Sequence, residues 1–408
     1  MDQTLNEESK QASTTWTIVL AGIISLAVAM GIGRFAFTPL MPLMLRDGVI
    51  DIAAGTEWAA ANYVGYLLGA LSAARFAANP RLGARLGLAG IGFTTFGIVL
   101  ASGAFSMLGT ILRGAAGIFS AWVLVCTTSW CFSELARRQA LGHGSWIYTG
   151  VGLGITLTGV LAWLGGGQSA MALWIELGAL ASAGAVLAMA GMQSRSHAAS
   201  APASASVPPS AAGDGRGNIV LVICYSIFGF GYIIPATFLP TMARQLTSDP
   251  RIFGLAWPIF GLAATLSVAA VSGYLSAWPR ARLWALAQAS MALGTLLPLF
   301  LESLWSIAVC AVLVGGAFMV ATMAGLQLAR ARMPANPTPL LGRMTAGFAA
   351  GQIVGPLMVR AIGGQQIAGW DALRWANATA TVLLAGTAVC LWRMGPAPTA
   401  ARFNLKQD

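Results

Sequence analysis

Charge is what this chain has least of. Only 9% of its 408 residues are Asp, Glu, Lys or Arg, while 57% are hydrophobic, a balance outside the range of soluble globular domains. Histidine is nearly missing, and its two copies, His143 and His197, fall in segments between apolar runs. The five cysteines, Cys126, Cys131, Cys224, Cys310 and Cys390, sit in or at the ends of apolar runs without ligand-like spacing. That pattern implies neither a disulfide framework nor a metal site. No nucleophile with a base, no ligand set and no clustered carboxylates occur within the apolar runs, so an enzyme is not expected and no cofactor is implied. The formal net charge is +10, but the basic residues lie in short connecting segments and not in a patch interleaved with exposed aromatics. Nucleic acid is therefore excluded as a partner.

What the chain does have is apolar length. Twelve runs long enough to cross a bilayer are predicted at 16–44, 57–77, 84–105, 107–131, 145–165, 170–192, 218–243, 254–277, 282–301, 305–329, 341–363 and 371–393. Residues 1–15 are polar, and the run that follows exceeds a signal-peptide core, so the first span is expected to stay as an anchor. The fold expected is an all-α polytopic membrane protein. Residues 1–192 read as one six-helix bundle and 218–408 as a second. Between them, 193–217 carries Ala-Pro-Ala-Ser-Ala-Ser-Val-Pro-Pro-Ser and reads as a flexible linker. Of the 23 basic residues, Arg46, Arg244, Arg251, Arg360 and Arg374 fall on one side of the membrane, Arg34 and Arg113 within it, and all others on the side of the termini. The positive-inside rule then places both termini in the cytoplasm of a bacterial-type inner membrane.

The halves repeat. A shift of 198 superposes Gly31, Gly33, Pro42, Met44 and Arg46 on Gly229, Gly231, Pro240, Met242 and Arg244. Gly69-Ala-Leu-Ser-Ala73 recurs as Gly273-Tyr-Leu-Ser-Ala277, Glu134-Leu-Ala-Arg137 as Gln327-Leu-Ala-Arg330, and Leu141-Gly142 as Leu341-Gly342. Parallel repeats of this kind place a transport site near the midplane between the halves, and rocking of one half against the other gives alternating access.

These residues resemble the major facilitator superfamily. Gly31-Ile-Gly-Arg34-Phe-Ala-Phe-Thr-Pro39-Leu-Met-Pro42 is similar to the signature of its YbfB/YjiJ-type branch, as are Asn62-Tyr63-Val-Gly65-Tyr66 and Thr345-Ala-Gly-Phe348-Ala-Ala-Gly351-Gln352-Ile-Val-Gly355-Pro356. Arg113-Gly-Ala-Ala-Gly117 looks like the superfamily's helix 4 arginine motif, which is linked there to proton coupling. One departure stands out: the loop aspartate usual in the superfamily is replaced by Ala73 and Ala277. The resemblance implies secondary transport, with protons as a potential second partner, and names no cargo.

Within this frame a few polar residues are candidates for solute binding. Arg34 and Arg113 both lie roughly 9–12 Å below the outer surface at 1.5 Å per residue, so an anion could bridge them through guanidinium forks. The alternative for each is to snorkel or to cap neighbouring helix carbonyls. Tyr232 occupies the repeat position of Arg34, and about Val314 that of Arg113, so the charge is confined to the first half. Asn62 and Tyr66 are spaced to share one helix face, and Gln352 sits beside Gly351, Gly355 and Pro356. Glu176 is the one carboxylate well inside a predicted span and is the coupling candidate. The expectation is a monomeric secondary active transporter of a small organic anion in the lipid bilayer, moving its solute by alternating access. Two alternatives stay open: an efflux pump for hydrophobic or cationic compounds, and a transport-inactive sensor or scaffold.

Overall fold

The computed structural model describes residues 15–101, 106–193, 215–247, 249, 252, 254–333, 338–363 and 365–394. The predicted linker lies almost wholly outside them. Twelve long helices are described: α1 (Thr15–Arg46), α2 (Ile52–Ser72), α3 (Pro80–Gly97), α4 (Ser106–Arg137), α5 (Thr149–Leu164), α6 (Ala170–Gly191), α7 (Gly215–Leu246), α8 (Ala256–Tyr274), α9 (Arg280–Phe300), α10 (Leu304–Arg332), α11 (Thr338–Ile362) and α12 (Ala372–Arg393). Eleven are long and apolar enough to span a bilayer, α5 together with the 3-10 helix Leu141–Tyr148 that leads into it. The exception is α2, whose length suffices but whose Thr56, Glu57, Asn62, Tyr63 and Tyr66 lower its hydropathy.

The spans match the predicted runs except at their ends, where polar chemistry sets the boundary. α2 starts earlier than predicted because Asp51 caps it, accepting from the Ala54 N–H at 2.7 Å. Asn79 likewise caps α3 through the Leu82 N–H, with Pro80 at the first turn. α4 runs on to Arg137 because Glu134 in its last turns pairs with Arg81 on α3 at 2.8 Å. Apolar windows see none of these groups.

Within the first six helices, α4 packs on α2, α3 and α1; within the last six, α7 packs on α11, and α9 on α10 and α12. Between the halves the main contacts are α5 with α8 and α2 with α11. α5 and α8 approach so closely that a Cβ on Gly152 would collide with the backbone of Thr265 and Gly261, and one on Gly261 with that of Thr156. At the α1–α7 contact, Thr38 Oγ1 donates to the Ala236 carbonyl at 3.4 Å. Thr38 and Ala236 are 198 positions apart, the shift that superposes the two halves in sequence. Repeat-related residues that touch each other must lie beside the pseudo-twofold axis.

Candidate solute site

The centre of α1 is not an ordinary α-helix. Ala27–Phe35 is wound as a wider π-helix, and α-helical geometry resumes at Phe37. The sequence accounts for the break: Pro39 and Pro42 lack the N–H groups that the carbonyls of Phe35 and Thr38 would use. The carbonyls of the wide segment find partners on other helices. Ser120 Oγ donates to Ala29 O at 2.8 Å, Arg113 Nη1 to Gly33 O at 3.1 Å and Arg113 Nη2 to Arg34 O at 3.0 Å. Asn62 Nδ2 donates to Arg113 O at 2.9 Å and lies 3.5 Å from Gly33 O. Arg113 and Asn62 therefore brace backbone. Of the two roles open to Arg113, carbonyl capping is the one the geometry realises.

Arg34 is held differently. It is 2% exposed, and its guanidinium lies 3.8 Å from the ring centre of Tyr66, 5.3 Å from that of Phe35 and 5.8 Å from that of Tyr63, where the ring quadrupoles attract a cation. Nη2 donates to Gln352 Oε1, and Gln352 Nε2 donates to the Tyr232 hydroxyl. Arg34 and its repeat mate Tyr232 are thus joined through Gln352. Tyr232 is sandwiched between Phe318 at 5.4 Å and Phe348 at 5.5 Å, both nearly parallel to it. Arg34 Nε and Nη1 have no hydrogen-bond partner, a costly state for a buried cation.

No carboxylate neutralises this charge among the described residues. Asp47, Asp51, Glu57, Glu176, Asp249, Glu302 and Asp371 are exposed, and the half-buried Glu134 is paired with Arg81. Glu176 lies on the outward face of α6 and does not join the other candidates.

The two arginines do meet at one small space of about 20 Å³, shared with Phe37, Thr38, Tyr63 and Thr237. That is room for about one water, so the bridging of an organic anion by both guanidiniums is not available in this conformation. The larger space lies on the other side of Arg34. A cavity of about 130 Å³ is walled by Phe35, Tyr66, Tyr148, Tyr225, Tyr232, Phe318 and Phe348, with Thr128, Thr322 and Thr345 as polar points. It runs towards Arg330 and Leu341, at the face where α1 begins and α12 ends. On the opposite face the Thr38–Ala236 bond and a 3.0 Å bond between the Tyr63 and Thr237 hydroxyls tie the halves together. These bonds lie on the face away from the Arg330 end of the cavity.

A family model described as "Uncharacterised MFS-type transporter YbfB" matches residues 26–390. The chain belongs to this family of MFS-type transporters. Two solved structures share the transporter's fold: a mutant of the nucleoside transporter NupG and a D-xylose-proton symporter. Each has a TM-score of 0.67, 13% identity and 94% coverage of this chain, with 100% and 98% of the other chain covered. At that identity the likeness concerns the fold. No curated protein matches the transporter at the sequence level.

Of the residues singled out from sequence, Arg34, Tyr66, Tyr232 and Gln352 come together, Asn62 and Arg113 support them from behind, and Glu176 stands apart. The sequence reading missed Phe318 and Phe348, which hold Tyr232, and Ser120, which holds the wide turn. A signal for Phe348 was present: it precedes Gln352 by four residues, so both share one face of α11.

Proposed function

We propose that this MFS-type transporter moves a small organic anion with an apolar, ring-sized body by alternating access between two six-helix halves. Arg34 carries the reading: a buried cation with two unpartnered N–H-bearing nitrogens, no carboxylate partner among the described residues, and an aromatic cavity beside it. A carboxylate or sulfonate would satisfy those donors as a charge-assisted pair, and the tyrosine and phenylalanine faces would take the apolar body. The positive-inside pattern supports cytoplasmic termini in an inner membrane, which puts the Arg330 end of the cavity on the inward side.

The composition of the cavity also bears on coupling. With no described carboxylate on its walls, a proton that accompanies the solute would travel on the solute's own acid group or outside the cavity. An exporter of organic cations would need the opposite charge here.

Uptake of labelled aromatic and aliphatic monocarboxylates into proteoliposomes tests the proposal. Arg34→Ala is expected to raise KM at least 100-fold, with Arg34→Lys intermediate because it keeps charge without the fork. Wild-type KM in Arg34→Ala would overturn it.

A further inference from the structure

The aromatic cavity whose walls include Phe35 and Tyr66, the ring neighbours of Arg34, also has a cation among its lining residues. Arg330, near the end of α10, lines the same cavity and is half-buried. Its guanidinium lies 5.1 Å from the ring centre of Phe132 on α4. Among the described residues it makes no ion pair within 4.0 Å and no hydrogen bond. The repeat explains why. In the first half the equivalent arginine, Arg137, faces Glu134 one helical turn away at 3.6 Å. In the second half Gln327 takes the place of that glutamate and donates instead to Ser145 Oγ at 3.3 Å. One substitution between the halves has removed the counter-ion and left a free cation at the cavity mouth.

We propose that Arg330 is a second anion-binding station, taking the carboxylate or sulfonate of an organic anion at the inward mouth before or after it occupies Arg34. This rests on the anion reading of the central site. Phe318 stacks on Tyr232 beside Arg34, and Arg330 lies twelve residues further along the same helix, roughly 18 Å at 1.5 Å per residue. The stations are successive, and the aromatic wall between them carries the apolar body. Arg330 raises the local concentration of anions and repels cations at the mouth, the effect expected of a fixed charge in a low-dielectric cleft.

The test needs no knowledge of the physiological solute. In a Cys390→Ser background, a thiol is introduced at the mouth by Thr345→Cys, or by Leu341→Cys should the first variant misfold. Purified protein is treated with the anionic sulfonatoethyl and the cationic trimethylammonium-ethyl methanethiosulfonates, and the ratio of the two rates is normalised to a free thiol. Arg330→Gln is expected to lower the anion-to-cation ratio about tenfold, from the field of one charge at short range. Arg330→Lys should preserve the ratio, and Phe132→Leu should leave it within twofold. An unchanged ratio in Arg330→Gln overturns the station. So does an equal fall in Phe132→Leu, which would mean that Arg330 acts by latching α10 to α4. Arg34→Ala is expected to leave the ratio unchanged while raising the transport KM, so failure of the mouth station and failure of the central site give different results.

Discussion

Where each guanidinium sends its N–H groups separates two arginines that look alike in sequence. Arg113 gives one nitrogen each to Gly33 O and Arg34 O. Arg113→Ala leaves two buried carbonyls without these donors, a loss of about 2–6 kcal/mol at about 1–3 kcal/mol for each stranded group. The apparent Tm in detergent should therefore fall by several degrees, with Arg113→Lys recovering part of the loss. Arg34 gives one nitrogen to Gln352 and leaves two unpartnered. Arg34→Gln keeps a donor for the Gln352 carbonyl and removes an unneutralised charge whose burial is unfavourable. Its Tm should equal or exceed that of the wild type while transport is lost. A Tm drop as large as that of Arg113→Ala would assign Arg34 to structure instead of solute. Sequence supplied both arginines and both roles. It could not allot them, because the partners lie on other helices 79 to 318 positions away.

At the scale of the element, the wide turn in α1 depends on close neighbours as well as on its prolines. A Cβ on Gly31 would overlap the backbone of Gly154 on α5, which has no side chain to move aside. Gly31→Ala is expected to force α1 and α5 apart and to reduce the yield of folded protein severely. Gly386→Ala on α12, where a Cβ meets nothing within 4 Å, should be neutral or slightly stabilising, since alanine is the better helix former. Size-exclusion yield of the two variants checks the contrast. The turn between α1 and α2 holds a pH-sensitive link. Asp47 accepts from Arg46 Nε at 2.7 Å and from the Ala170 N–H at the start of α6 at 2.6 Å. The Arg46 side chain first, and the Ala170 N–H second, hold its carboxyl below the ordinary value of 3.8. A depressed folded-state pKa gives stability that is present above the unfolded value and lost as pH falls through the folded one. Asp47→Asn should therefore lower the Tm modestly at pH 7, and the gap to wild type should close as pH falls below the ordinary carboxylate value. A gap that persists there would mean that the carboxylate charge is irrelevant.

Across the whole molecule, the repeat turns into a mechanical statement. Thr38 and Ala236 meet beside the pseudo-twofold axis on one face, and the aromatic cavity runs towards the other. If the halves rock about the central site, these two residues separate once per cycle. Oxidation of a Thr38→Cys, Ala236→Cys double variant, with Cys390 replaced, should stop transport in proteoliposomes, and reduction should restore it. Unimpaired transport in the fully cross-linked protein would show that this face does not open. The same view explains how a polar helix such as α2 is tolerated. Its buried Asn62, Tyr63 and Tyr66 point at the site, where Arg113 of α4, Thr237 of α7 and Arg34 of α1 meet them, so these three groups never meet lipid.

Sequence by itself determined that the chain spans a membrane, how many times, that its halves repeat and that a cation lies inside the first span. These follow from composition, from apolar length and from residue identity, all of which are local or periodic in the chain. Tertiary structure decided what the cation does. Whether a buried guanidinium braces backbone or awaits an anion depends on which acceptors stand within 3 Å of it. Those acceptors, and the missing carboxylates, are fixed by how twelve helices pack and not by any stretch of sequence that could be read alone.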